Sequence, residues 1–221
     1  VQALAKEELK EFDNVTLLLC DALRNKNHLR LEILEAVQQR MATIPLSRFK
    51  LVANLPYNVA TPIISNLLHC QPLVDRMVVT IQKELGERIV AKPSTKDYSA
   101  LSIWLQSQCE CRIVRAMPPQ AFWPRPKVDS AIVELIPRQH LRDRIVDLGY
   151  FHEKLRALFF HRRKYLRSQL ATAVQQELTK PQVDAVLEQQ GLSPDLRAEQ
   201  LTVEQIIELL EACRKVAIAT T

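Results

Sequence analysis

Residues 49–57 read FKLVANLPY, and this stretch decides the fold that we predict for the chain. Residues of strand character lead into Asn54, and the chain then turns helical again after Pro56 and Tyr57. Two other apolar runs, VTLLLCDAL (15–23) and DRMVVTIQ (75–82), are also predicted to be strands. Segments with apolar residues at helical spacing lie between these runs. Near-continuous apolar strands that alternate with helices are typical of a parallel sheet covered on both faces.

The pattern changes after about residue 108. CRIVRA (111–116) and SAIVELI (130–136) are predicted strands, and the proline-rich and aromatic segment PPQAFWPRPK (118–127) joins them without a long helix. Two strands in succession predict an antiparallel edge on the parallel sheet. From Leu141 onward the pattern is helical throughout. We therefore predict an α/β domain over residues 1–140 and a small helical domain over residues 141–221.

Composition excludes several classes of protein. The chain has 221 residues, is 47% hydrophobic and carries a formal net charge of +5. Its apolar runs are shorter than the roughly 18 residues that a membrane span requires, so we expect no membrane segment. The five cysteines are scattered and odd in number, as expected for reduced thiols of a cytoplasmic protein rather than a disulfide framework. Cys109 and Cys111 lack further nearby ligands, so we expect no metal site.

The corner after the second predicted strand has a specific chemistry. Ligands of open α/β sheets bind beyond the carboxyl ends of the strands, where Asp21 and Asn54 are both predicted to lie. Pro56 forces Leu55 into an extended conformation, so the Leu55 carbonyl and the Asn54 side-chain oxygen can converge as two acceptors. Two acceptors suit an exocyclic amino group, and Tyr57 offers a flat face for stacking. The corner is therefore suited to an amino-bearing base, adenine or cytosine. The same tetrapeptide is equally compatible with an ordinary turn in which Tyr57 only packs.

The chain as a whole resembles the ribosomal RNA adenine N6-dimethyltransferases, the KsgA family. The resemblance begins with NLPY and the NVATPIISNLL that follows it. Further stretches match in order: DAL (21–23), IQKELGERIVAKPSTKDYSALSIWLQ (81–106), MPPQAFWPRPKVDSAIVEL (117–135), FFHRRKYLRSQL (159–170) and RAEQLTVEQIIEL (197–209). The fold that this resemblance implies is a Rossmann-like class I methyltransferase sheet followed by a small all-helical carboxyl-terminal domain.

The resemblance also implies a function and a set of site residues. It implies an enzyme that uses S-adenosyl-L-methionine to dimethylate N6 of two adenines in small-subunit ribosomal RNA, acting as a cytoplasmic monomer on the immature 30S subunit. Carried over, Asp21, Ala22 and Asn54 would contact the cofactor, and Asp21 would accept from the amino group of its adenine. Asn54, Leu55 and Pro56 would form the catalytic corner, with Tyr57 and Phe122 on the two faces of the extruded target base.

A basic stretch between residues 154 and 167 is predicted to be a helix that follows RNA phosphates. Its cations include Arg156, Arg162, Arg163, Lys164 and Arg167, and no acid lies among them. Contacts of this kind position an RNA but do not read its sequence. A solvated helix face is the alternative that charge alone leaves open.

The family pattern includes a glycine-rich loop after its first strand and an acid after its second. The glycines of this chain are Gly86, Gly149 and Gly191, and none lies in such a loop. We therefore expect a fragment that lacks the first two strands of the family, binds the cofactor very weakly and gives no turnover. Two other functions stay open: a non-catalytic RNA-binding assembly factor on the same fold, and a glutamine or DNA amino-methyltransferase with a similar corner.

Overall fold

The computed structural model describes residues 2–161 and 164–220, and the backbone there forms a mixture of helices and short strands. The strands are β1 (Leu23–Asn25), β2 (His28–Leu29), β3 (Lys50–Asn54), β4 (Arg76–Gln82), β5 (Cys109–Met117) and β6 (Ser130–Pro137). The helices are α1 (Gln2–Glu8), α2 (Leu31–Thr43), α3 (Ala60–Leu67), α4 (Lys83–Ile89), α5 (Ala100–Gln106), α6 (Gln139–Arg142), α7 (Leu148–Leu158), α8 (Leu166–Ala173), α9 (Lys180–Gln189) and α10 (Val203–Thr220).

The main sheet has four strands in the order β3-β4-β6-β5. The Leu55 N–H donates to the Thr80 carbonyl at 3.1 Å, and the Asp75 N–H donates to the Phe49 carbonyl at 2.7 Å. Both ends of β3 therefore lie beside the matching ends of β4, so these two strands run parallel, as the sequence predicts. β6 is antiparallel to both β4 and β5.

The predicted antiparallel edge of the sheet is confirmed. It consists of β6 and β5, which pair antiparallel, with β6 beside β4 and β5 outermost. The chain leaves β4 through α4 and α5, crosses to β5 and then returns beside it. The returning strand fills the gap next to β4, because pairing there satisfies its backbone groups on both sides.

The strand predicted over residues 15–23 is wrong for the apolar run at its start. Val15–Leu19 lie outside regular secondary structure, and Leu19 is 77% exposed. An apolar run becomes a strand only when neighbours accept and donate its backbone hydrogen bonds, and among the described residues no strand pairs with this run. The chain forms a two-stranded antiparallel hairpin, β1–β2, just after it.

The chain divides into two compact units, which we describe separately. The first unit comprises Val1–Lys50 and Pro56–Asp75, and the second comprises Leu51–Leu55 and Arg76–Thr221. The boundary predicted at residue 140 separates an α/β domain from a helical domain and does not correspond to these two units. It stays a prediction. The described residues after Pro137 form helices and connecting segments without further strands, as expected for the carboxyl-terminal part.

The core of the second unit begins on one face of the sheet. Alternate residues Met77, Val79 and Ile81 of β4 are almost fully buried, as are Ala131, Val133 and Leu135 of β6. Helix α4 approaches this face so closely that a Cβ added at Gly86 would lie 3.1 Å from a methyl group of Val133. A side chain at position 86 would require Val133 to shift by a few tenths of an ångström, so the glycine permits the present close packing of α4 on β6.

Candidate functional site

The carboxyl end of β3 carries the first two residues of the predicted corner. Asn54 is the last residue of the strand and is exposed, whereas Leu55 is only 7% exposed. The hydrogen bond from the Leu55 N–H to Thr80 fixes the backbone here against β4. The strand alternation that buries Leu55 therefore presents the amide of Asn54 to solvent, as a binding role requires.

Pro56 and Tyr57 open a turn in the first unit. The Pro56 carbonyl accepts from the Val59 N–H at 3.1 Å, and helix α3 begins at Ala60. Pro56 is exposed and Tyr57 is half-buried. The proline fixes the backbone at the start of the turn, because its ring locks φ and it has no N–H to donate.

The segment after β5 brings Phe122 to the same end of the sheet as Asn54. Met117 pairs with Ser130, and Gln82 also pairs with Ser130, so the ends of β4 and β5 lie level with each other. The segment 118–129, which we call the aromatic loop, leaves the sheet at this level. Its base on β6 is two strands from β3, which corresponds to roughly 10 Å.

Phe122 itself has an extended backbone, with φ −126° and ψ 149°. Its N–H donates to the Pro119 carbonyl at 3.2 Å, and its side chain is half-buried. The structure thus places Asn54, Leu55 and Phe122 at one end of one sheet. A sandwich of a base between Tyr57 and Phe122 involves residues of both units and stays a prediction.

Asp21 does not end a strand, and this corrects its predicted position. Its Oδ1 accepts from the Leu23 N–H at 3.0 Å, while the Ala22 carbonyl accepts from the Arg30 N–H at 3.1 Å. These two hydrogen bonds fix Asp21 and Ala22 against the hairpin β1–β2. Asp21 therefore lies at the start of a hairpin and not at the end of a strand. Asp21 is exposed, and a carboxylate has room for more than one donor.

The described residues make only part of a cofactor site for S-adenosyl-L-methionine. Asp21 offers an acceptor for an adenine amino group. Gly86 lies in α4, Gly149 lies in α7 and Gly191 follows α9, so none of the three lies in a turn from a strand to a helix. Such a turn brings backbone N–H groups close to a ligand. The residues present therefore do not fit the whole cofactor.

The basic stretch is not a continuous helix, which corrects the prediction for residues 154–167. Helix α7 ends at Leu158, and α8 begins at Leu166. The buried amide of Gln169 donates to the carbonyls of His161 and Lys164, and the Leu166 N–H donates to the Leu196 carbonyl at 2.7 Å. These bonds replace helical ones and therefore hold the connection between the helices open.

The cations of this stretch have different surroundings. Arg156 and Lys164 are exposed, whereas Arg167 is bound through two nitrogens to the carboxylate of Asp184, at 2.5 and 2.7 Å. The hydrogen bond from Arg167 also lowers the pKa of Asp184. Arg162 and Arg163 lie outside the described residues. The RNA-binding role of these side chains stays a prediction.

Lys154 lies in the same stretch but is buried. Its Nζ lies 2.5 Å from Glu177 and 3.1 Å from Glu153, and the side chain is only 5% exposed. Burial opposes the charged ammonium, but the hydrogen bonds to these two carboxylates outweigh it and raise the pKa of Lys154. The sequence pattern of the helix does not reveal this buried ion pair, because Glu177 is distant from Lys154 in the sequence.

Two features are absent from the described residues. The helices found there include no long apolar segment that could cross a membrane. Within the same residues, no three histidine, cysteine or acidic side chains come together as ligands for a metal ion.

Comparison with solved structures identifies the class of fold. A dimethyladenosine transferase from Plasmodium falciparum superposes with a TM-score of 0.77 at 23% identity, covering 98% of this chain and 78% of that one. The 23S rRNA methyltransferase ErmE superposes with a TM-score of 0.60 at 20% identity, covering 96% of this chain and 77% of that one. At these identities the likeness shows the fold alone: the Rossmann-like methyltransferase fold with a helical carboxyl-terminal part.

Sequence comparison identifies the family. Residues 3–215 match the family model for ribosomal RNA adenine dimethylase, and the chain belongs to this family. It is 34% identical over 210 residues to the ribosomal RNA small subunit methyltransferase A of Lactococcus lactis, covering 95% of this chain and 68% of that protein. It is 37% identical over 208 residues to the protein of the same name from Geobacillus kaustophilus, covering 93% of this chain and 68% of that protein. The chain therefore spans about two thirds of the length of these relatives.

Proposed function

We propose that the protein transfers methyl groups from S-adenosyl-L-methionine to N6 of two adenines in small-subunit ribosomal RNA, giving N6,N6-dimethyladenosine during ribosome biogenesis. Membership of the adenine dimethylase family supports this proposal. The observation that carries it is the placement of Asn54, Leu55 and Phe122 at one end of the sheet. An amide, a backbone carbonyl and an aromatic ring together suit an amino-bearing base.

The corner contributes orientation rather than acid–base chemistry. In the proposal, the Asn54 side-chain oxygen and the Leu55 carbonyl accept the two N6 hydrogens, so the nitrogen becomes pyramidal and its lone pair points away from the corner. Bound S-adenosyl-L-methionine would supply an activated methyl group, so positioning the nitrogen would be the main task of the protein's own residues. No strong base is required, because a methylated N6 loses its proton readily. The corner must also leave room for the first methyl group during the second transfer.

Tyr57 and Phe122 are proposed to hold the ring of the extruded adenine. Taking a base out of its stack costs a few kcal/mol, and new stacking and hydrogen bonds offset that cost. The exposed Arg156 and Lys164 are proposed to hold phosphates of the substrate, the immature 30S subunit, together with Arg162, Arg163 and Arg167. Such contacts would make the affinity dependent on salt.

The test is methyl transfer to unmethylated small subunits by the protein produced from its complete reading frame. We expect Asn54→Ala to lower kcat roughly 100-fold, because catalytic hydrogen-bond partners in active sites contribute on this order. Asn58→Ala, which removes an exposed asparagine from the turn that follows the corner, is the matched control and should leave the rate unchanged. Equal rates for the two variants would refute the role of the corner.

The 221-residue chain by itself is a separate test. We expect it to bind S-adenosyl-L-methionine very weakly and to give no turnover, because its glycines do not supply a cofactor turn. Measurable methyl transfer by this chain would contradict that expectation.

A second candidate is a non-catalytic RNA-binding factor for ribosome assembly. The position of Asp21 outside any strand end and the placement of the glycines favour it for the described residues. Calorimetry with S-adenosyl-L-methionine on the complete protein separates the two functions. Binding supports the enzyme, and a protein that binds ribosomal RNA but not the cofactor would support the assembly factor.

A further inference from the structure

The aromatic loop contains an indole that the proposed chemistry does not use. Trp123 is 95% exposed, whereas Trp104, the other tryptophan of the chain, is 2% exposed. An indole left in water contributes almost nothing to the stability of the fold, although it is among the largest apolar side chains. Packing against the fold therefore does not explain the position of this indole on the loop.

The backbone explains why Trp123 cannot share the role of its neighbour. Phe122 is extended, so successive side chains point to opposite sides. Phe122 is accordingly half-buried while Trp123 points outward. The two rings cannot stack on the same base. If Phe122 holds the target, Trp123 is available to a different base.

The surroundings of Trp123 favour a nucleic acid. Arg125 and Lys127 follow it at alternate positions and are exposed, and Arg115 is exposed on the strand that enters the loop. Asp129 is the one acid of the segment 118–129. Cations beside an exposed aromatic ring form the usual surface for an unpaired strand, in which bases stack and phosphates pair with the cations.

Prolines restrict the backbone of the aromatic loop. Four of its twelve residues are prolines, at positions 118, 119, 124 and 126, and each fixes its own φ. The Asp129 carbonyl accepts from the Lys83 N–H at 3.0 Å, which ties the end of the loop to α4. A side chain on a preorganised loop loses little entropy on binding.

We propose that Trp123 is a stacking platform for an unpaired RNA base beside the target adenine, with Arg125 and Lys127 holding the adjoining phosphates. This proposal rests on the proposed function for the identity of its substrate class. It adds a positioning residue that sets where the RNA enters, and it requires no cofactor. Binding experiments can therefore test it without any methyl transfer.

The direct measurement is quenching of tryptophan emission by an unstructured oligoadenosine RNA. A base stacked on Trp123 should quench its emission and protect it from iodide, which reaches only exposed indoles. Because Trp104 is buried and shielded from iodide, iodide quenching of the unmodified protein already reports on Trp123. Trp104→Phe, which leaves one tryptophan, would give a cleaner signal provided that the variant folds.

Three variants test whether stacking is the cause. Trp123→Ala should weaken binding of the single-stranded RNA between roughly 5-fold and 100-fold, the range for one base stacked on an aromatic ring. Trp123→Leu, which is apolar without an aromatic face, should lose about as much, whereas Trp123→Phe should retain most of the affinity. The melting temperatures should differ by less than about 2 °C, since the side chain is exposed.

Several results would overturn the proposal. RNA binding without a change in emission would show that Trp123 does not stack, and equal affinities of Trp123→Ala and the unmodified protein would show the same. Weaker association of Trp123→Ala with whole small subunits but not with naked RNA would assign the loop to a ribosomal protein. If RNA binds as proposed but no methyl is transferred, the platform stands and the proposed catalytic function fails.

Discussion

Glu177→Gln is expected to destabilise the protein by breaking the buried ion pair of Lys154. The Nζ of Lys154 lies 2.5 Å from one oxygen of Glu177, and the Tyr150 hydroxyl donates to the other at 3.2 Å. The ammonium also lies 5.3 Å from the centre of the Tyr150 ring. Removal of one partner from a buried pair typically costs 3–5 kcal/mol, because the other charge is left without compensation. Glutamine still offers an oxygen, and Glu153 remains in contact, so we expect a loss of about 3 kcal/mol at neutral pH.

The matched control is Glu153→Gln, which removes the other carboxylate from the same lysine. Glu153 is 74% exposed against 28% for Glu177, so this change should cost less than about 1 kcal/mol. Urea unfolding followed by circular dichroism measures both values. The double variant Lys154→Met with Glu177→Gln should recover part of the loss, since it leaves no unpaired charge. Equal costs for the two glutamate variants would refute the assignment of Glu177 as the main partner.

The ion pair also predicts how stability depends on pH. The pKa of Lys154 is higher in the folded protein than in the unfolded chain, because its hydrogen bonds to Glu177 and Glu153 outweigh burial. Its contribution is therefore complete below the unfolded pKa of about 10.4 and is lost as the pH rises through the folded value. The difference between the unmodified protein and Glu177→Gln should be constant from about pH 7 to 9 and shrink above about 10.4. A difference that grows at alkaline pH would contradict this reasoning.

Three further outcomes are expected. Gly191→Ala should lower the free energy of unfolding by about 1 kcal/mol. Gly191 has φ +62° and an added Cβ would have no neighbour within 4 Å, so backbone strain is the whole effect. Thermal unfolding measures the loss, and Gly191→Asn is the better tolerated control. Arg156→Ala should weaken binding of small-subunit RNA more than Arg167→Ala does, because Arg167 already pairs with a carboxylate. Filter binding over a salt series should show that Arg156→Ala reduces the dependence of affinity on salt more than Arg167→Ala does. The reverse order would contradict the proposed phosphate contact of Arg156. Leu135→Ala should lower the free energy of unfolding by about 2–5 kcal/mol, because it leaves a cavity beneath the sheet. Val128→Ala, at a 44% exposed position, should change it little. Equal chemical denaturation curves for the two variants would show that β6 does not contribute to the core.

The local geometry of the corner could be predicted from the sequence because it depends on neighbouring residues. The roles proposed for Asn54, Leu55 and Pro56 depend on their own backbone and side chains, and the structure shows Asn54 exposed at the end of a strand. Phe122 could be assigned only through the family resemblance, since nothing local relates residue 122 to residue 54. The sheet order brings them to one end, because β6 places the base of the aromatic loop next to β4.

The environment of the charged residues could not be predicted from the sequence. Lys154 and Arg167 look alike in a run of cations, yet each pairs with an acid that comes from a different helix or connection. A count of cations in the sequence does not show which of them already pair with an acid of the same protein. The number of cations available to an RNA is therefore smaller than the run suggests.

The sequence by itself determined the strands β3 to β6 and the helical character of the chain after Leu141. These features follow from alternation and periodicity, which act over a few residues. The tertiary structure alone decided that Val15–Leu19 form no strand, that β6 lies inside the sheet and that the basic stretch breaks between α7 and α8. Each of these depends on a hydrogen-bond partner far away in the chain, and a local pattern contains no information about whether that partner is present.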